Sequence, residues 1–214
     1  MQKKIYILAI FFFMILTFNF YAQNERVIHS KAPINEPTFE ILIDDHPIGP
    51  NVEILSIEVK GKLKDISIAN IEFLYHTVNA DFILVSKKIE ILMGYHNQND
   101  NIFEGTTIEH DFEQKPGEPE IITVAAEGYT QKSNDQTPTI NLQKGVNIVS
   151  YKFKIKENMK ITSEILMSGT NAVKLGNKIE ITGFGENYDG IYRVVSIKHR
   201  LKGANWETKL GMKK

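Results

Sequence analysis

The stretch from Gly176 to Gly211 constrains this chain more than any other. Three runs of strand-forming residues, Lys178 to Thr182, Ile191 to His199 and Trp206 to Leu210, are divided by turn formers: Gly183 and Gly185, then Asn187, Asp189 and Gly190, then Gly203 and Asn205. In the last run Trp206, Thr208 and Leu210 fall on one face and Glu207 and Lys209 on the other, the period of two of a half-buried strand. The spacing predicts a small antiparallel meander.

The same alternation runs through the earlier chain. Phe39, Ile41 and Ile43 alternate with Glu40, Leu42 and Asp44 before the breaker "DDHPIGP". Leu55, Ile57 and Val59 give a second strand, and Ala69, Ile71, Phe73 and Tyr75 a third. Phe82 to Val85 is a brief apolar run, and "KKIEILMGY" is a further strand ending near Gly94. The polar loop "HNQNDN" then leads into "IFEGTTIEHDFEQ", the turn "KPGEPE" and the strand "IITVAAEG". Tyr129 to Lys144 is polar and reads as a linker or long loop. Beyond it, Val149, Tyr151, Phe153 and Ile155 share a face. Ile161 to Leu166 reads as a strand, although "TSEILMSG" fits a single helical turn equally well. No segment sustains a 3.6-residue period, so the fold expected is all-β. Its parts are two small antiparallel β-barrel-like domains at 38–130 and 146–214, joined by a polar linker at 131–145.

The N-terminus is a targeting segment by composition. Lys3 and Lys4 precede an apolar run from Ile5 to Phe20, and Ala22 is a small residue suited to a cut. Residues 1–22 are therefore expected to be a signal peptide cleaved after Ala22, with 23–37 an extended lead-in. The protein is then exported, periplasmic or extracellular, and touches a membrane only through its leader; an uncleaved anchor is the other reading. A chain without cysteine has no thiol to acylate, no disulfide and no thiolate metal site. The net charge is −1, and loss of Lys3 and Lys4 leaves 23 basic against 26 acidic residues, a balance that gives a nucleic-acid partner no support.

Candidate chemistry is sparse. Asp44, Asp45 and His46 have the side chains of a metal or acid–base site but sit in a turn, where Asp serves the backbone. His110 has Glu109 and Asp111 beside it, and on a strand these neighbours point to opposite faces from it. His199 ends an apolar strand, the setting of a structural histidine. "GFGENYDG" lacks the third glycine and following helix of a phosphate loop. No Gly-x-Ser-x-Gly elbow and no histidine pair at i, i+4 occurs. No catalytic, cofactor-binding or metal residue is therefore expected, and no cofactor. An enzymatic reading would need Asp44, Asp45 or His199 to converge with a partner elsewhere.

Two blocks carry a family resemblance. The closing meander resembles the end of the hub region in the VgrG and phage late control protein D family, which reads "G-x-G…(F/Y)-(D/N)-G-x-Y-x-V…V-x-H…W-x-T". Here Gly183, Gly185, Tyr188, Asp189, Gly190, Tyr192, Val194, His199, Trp206 and Thr208 stand in or near those places. The earlier block is similar to the family's first barrel through Gly94, Tyr95, Ile102, Phe103, Gly105, Val124 and Ala126. The chain departs from the family in its short middle region, Tyr129 to Leu175, in having no downstream spike, and in its leader. The resemblance implies a non-enzymatic structural hub or adaptor in a phage-tail-like or secretion assembly. It also implies a homotrimer meeting a hexameric tube or baseplate protein. The second expectation, taken from the leader, is an exported monomeric β-domain binding protein that keeps the hub fold without the machine.

Overall fold

A computed structural model of the chain describes residues 36–75, 85–132, 139–155 and 160–214. The leader, the lead-in as far as residue 35, most of the apolar run at Phe82 and the centre of the polar linker lie outside them. The described residues hold thirteen strands and no α-helix. The first seven are β1 (Pro37–Ile43), β2 (His46–Pro47), β3 (Ile54–Lys62), β4 (Ser67–Leu74), β5 (Lys88–Tyr95), β6 (Gln98–Glu113) and β7 (Ile121–Tyr129). The rest are β8 (Ile140–Gln143), β9 (Ser150–Ile155), β10 (Ile161–Ser168), β11 (Lys178–Thr182), β12 (Gly190–Lys202) and β13 (Asn205–Lys213). "TSEILMSG" is thus a strand.

All thirteen pair into one sheet in the order β2-β1-β5-β6-β7-β4-β3-β12-β13-β10-β9, with β11 on β12 and β8 on β11. Pairing is antiparallel except between β8 and β11, which run parallel. The expectation of two separate barrels is corrected here: the all-β class holds, but one sheet runs through both halves and does not close into a barrel.

The continuity comes from β12. Residues 196–202 pair with β3, residues 190–193 pair with β11, and β13 lies along the opposite edge of both parts. Between the two parts Val195 is an extra residue, a β-bulge in the β12–β13 ladder. Because side chains alternate with a period of two, the bulge switches which parity points inward. Tyr192 and Val194 are buried before it, and Ile197, His199 and Leu201 after it. Without Val195 one of these sets would face water.

Two hydrophobic cores result. Strands β1 and β3 to β7 enclose Ile41, Ile57, Ile71, Ile91, Phe103 and Val124, completed by Leu201 and Trp206 from the β12–β13 hairpin. Leu142, Ile165, Leu175, Ile179, Tyr192 and Leu210 are central to the second. Strands β3 and β6 carry similar parity shifts, at Leu55, Ile102 and Ile108.

Candidate functional site

The Asp44–Asp45–His46 turn connects β1 to β2. Asp44 and Asp45 both adopt positive φ, 49° and 66°, which aspartate tolerates better than most residues. Lys87 Nζ donates to Asp44 Oδ2 at 2.6 Å, Lys88 Nζ to Asp45 Oδ1 at 2.8 Å, and the Lys88 amide to Asp44 Oδ1 at 3.1 Å. The hydrogen bond from Lys87 holds the Asp44 carboxyl below its ordinary range, and the one that Lys88 donates to Asp45 raises the Lys88 ammonium. Both carboxylates are thereby occupied in tying the turn to β5. His46 Nδ1 lies 2.6 Å from the Asp44 carbonyl oxygen and faces water.

His110 is exposed on β6, its ring edge-on to Phe112 at 5.5 Å, and Phe112 in turn is edge-on to Tyr75 at 5.4 Å. Register places His110 opposite Val124 on one face, and Glu109 and Asp111 opposite Ala125 and Thr123 on the other. The three do not converge. Among the described residues no group of three or more His, Asp or Glu side chains is placed to hold a metal ion.

His199 occupies the seam between the two cores. It is 3 % exposed, and its Nδ1 lies 3.2 Å from Thr208 Oγ1 on the neighbouring strand. Thr208 Oγ1 also accepts the Thr170 amide at 3.0 Å. Burial disfavours the charged imidazolium and lowers the His199 pKa from 6.5 to about 4, so the ring is neutral at pH 7. Trp206 stacks obliquely on Tyr95 at 5.3 Å and lies 6.1 Å from the His199 ring. The segment 169–171 closes over this hairpin. The Gly169 amide donates to the Trp206 carbonyl at 2.7 Å, and Asn171 Nδ2 donates to the Met93 carbonyl at 3.0 Å, linking the seam to β5. A cavity of about 10 Å³ beside His199, bordered by Asn101, Thr130 and Asn171, has room for about one water molecule. Nothing here can admit a substrate; the seam is a fastening. Sequence reasoning found His199, Trp206 and Thr208 but missed Gly169, Thr170 and Asn171, whose only signal is a small polar triplet after a strand.

The "GFG" loop is held differently from a phosphate cradle. Asp189 takes the Phe184 amide at 2.8 Å on Oδ1 and the Gly183 amide at 3.1 Å on Oδ2. An anion is already supplied from within the loop. Phe184 is thereby set against Tyr151 at 4.6 Å and Phe153 at 5.1 Å, with Lys144 Nζ 5.5 Å from its ring centre.

With the fold in hand, comparison with known proteins narrows the field. The tail protein of Neisseria meningitidis superposes with a TM-score of 0.61 at 6% identity, covering 84% of this chain and 96% of that one. The 43 kDa tail protein of prophage MuSo2 from Shewanella oneidensis gives 0.55 at 7% identity, over 83% and 96%. The chain has a tail-protein fold. A type VI secretion component of E. coli is a weaker likeness, with a TM-score of 0.49 at 7% identity over 80% of this chain and 76% of that one, and carries no argument. Residues 34–137, just under half of the chain, match the family model described as the Alg8 N-terminal domain. No curated protein sequence matches.

Proposed function

We propose that this protein is a non-enzymatic structural component, a hub or adaptor, of a phage-tail-like or secretion assembly. The observation that carries the reading is the likeness to two tail proteins across more than four-fifths of this chain and nearly all of theirs, found with a different set of residues at almost every position. At 6–7% identity the likeness lies in the fold alone, and the structural role is carried over from those tail proteins by analogy. The occupied carboxylates at Asp44 and Asp45, the dispersed His110 group and the enclosed His199 supply no reacting centre that would favour an enzyme. In this reading copies of the chain form a ring, a trimer, that meets a hexameric tube or baseplate protein.

The leader motif from Lys3 to Ala22 favours a second reading, an exported monomer that binds a partner through the same fold. Light scattering on the chain expressed from Gln23, with the N-terminus of the native protein sequenced alongside, separates the two. A mass of three chains is the expected result. A monomer at every concentration tried overturns the ring and leaves the exported binding protein.

A further inference from the structure

Acidic and basic side chains share the outer face of the sheet, the face turned away from both cores, but they are not evenly spread over it. Near its lower end one row runs across five strands as Lys154, Thr162, Lys213, Arg193 and Lys178, each the register partner of the next. The four cations are exposed and make no ion pair among the described residues. With strands about 4.8 Å apart, the row spans about 19 Å.

The opposite sign gathers on the β6–β7 hairpin. Glu109, Asp111 and Glu113 alternate along β6 on that same outer face, opposite Ala125, Thr123 and Ile121, which carry no charge. Glu118 and Glu120 follow in the turn. Glu113 pairs with Lys115 at 3.0 Å, while Glu109 and Asp111 make no ion pair among the described residues. Beyond Thr107 this part of β6 hydrogen-bonds only to β7 among the described strands, while β7 stays paired with β4 along its length, so the acidic arm is an exposed edge of the sheet.

The two patches cannot neutralise one another within a chain. Between β6 and β13 lie five strand steps, about 24 Å, against a screening length of about 8 Å at physiological salt. Glu164 near Lys154 and Glu180 two residues along from Lys178 offset part of the row, as Lys115 offsets part of the arm, and the separation leaves each surface with an excess of opposite sign.

We infer that the acidic β6–β7 arm of one copy docks on the basic row Lys154–Lys213–Arg193–Lys178 of a second copy. The contact joins two different patches, so it propagates head to tail, and closes into a ring when the rotation per step allows. The inference deepens the assembly reading by naming its contact surfaces, and rests on that reading only for the number of copies.

The test is self-association of the chain from Gln23, followed by light scattering at low salt and at about 1 M salt, where the screening length falls to about 3 Å. Two double variants accompany it, Lys154→Glu with Lys213→Glu and Glu109→Lys with Asp111→Lys. All four positions are exposed on strand faces, and circular dichroism confirms that each variant folds. Each alone should weaken association about 100-fold, because the first takes the row's four positive charges to a net of zero and the second sets two lysines of the arm against the row. An equimolar mixture of the two should restore the pairwise contact as dimers or open chains, since the altered arm then meets the altered row, although a closed ring of three cannot alternate the two variants. An oligomer indifferent to salt and to both variants overturns this contact and leaves the assembly reading standing. A parent chain that forms a salt-sensitive dimer or open filament, its contact rescued by the mixture, supports the contact and overturns the trimeric ring. A monomer throughout overturns both, as does association that switches to added anionic vesicles or nucleic acid in place of a second copy.

Discussion

Acidification should destabilise this protein through His199 at a higher pH than through Asp44 or Glu164. The folded chain holds that imidazole neutral, with a pKa of about 4 against 6.5 when exposed. The unfolded chain therefore takes up the proton first as pH falls. The stabilisation is complete above about pH 6.5 and is lost as pH drops through 6.5 towards 4. A shift of about 2.5 units corresponds to about 3 kcal/mol over the whole span, of which about 2 kcal/mol is gone by pH 5. Against a typical total of about 5–15 kcal/mol this is a large fraction. Asp44, held low by the Lys87 hydrogen bond, and Glu164, held low by that of Lys209, lose their contributions only at lower pH. The window between pH 5 and 7 thus isolates the histidine. Urea unfolding at several pH values across that window, on the parent chain and on His199→Gln, measures the difference. The parent should lose about 2 kcal/mol more than the variant between pH 7 and pH 5. Equal slopes would refute the reasoning, as would an NMR titration placing the His199 pKa near 6.5, a readout independent of whether the variant folds.

Three further outcomes follow from packing. Gly169→Ala would drive a methyl group into the Trp206 indole, which the backbone hydrogen bond to Trp206 holds in place, and should cost about 1–3 kcal/mol in thermal or urea unfolding. Asp189→Ala leaves the Gly183 and Phe184 amides without their carboxylate acceptor and should cost about 1–3 kcal/mol, with faster hydrogen exchange confined to residues 183–189. Ile165→Ala, at the centre of the second core, should cost about 2–5 kcal/mol and lower the urea midpoint without changing the slope.

The inward faces of most strands were legible because alternation is a local property. Ala69, Ile71 and Phe73 are buried as their spacing requires, and so are Trp206, Thr208 and Leu210. The turns were legible too, since Gly183, Gly185, Gly190 and Gly203 all adopt positive φ. Parity broke where a bulge intervened: Leu55 reads as an inward residue with Ile57 and Val59, but it is the extra residue of β3, and Ile54 packs against the core in its place. Strand β8 was missed because four residues, Ile140 to Gln143, give too few alternations to stand out from a polar linker. "HNQNDN" reads as a loop, yet only His96 and Asn97 turn, and β6 starts at Gln98 because pairing with β5 overrides composition. Least legible was the union of the two halves. It depends on β3 meeting β12, a pairing across more than a hundred residues that no local pattern encodes. The same limit applied to the candidate residues. Their types were visible, but whether Asp44 met a lysine or a metal depended on Lys87 and Lys88, some forty positions away.

The sharing of one hairpin between two cores also governs when this chain can fold. Leu201 and Trp206, which complete the first core, follow the end of β7 by more than seventy residues. At about 5–20 residues per second, strands β1 to β7 wait several seconds after emerging before their missing neighbours exist. Through that interval the edge of β3 that belongs to β12 is open, and so is the apolar face meant for Trp206. The nascent first core is thus kept unfinished until the β12–β13 hairpin arrives, a state suited to being held by a chaperone and hazardous without one.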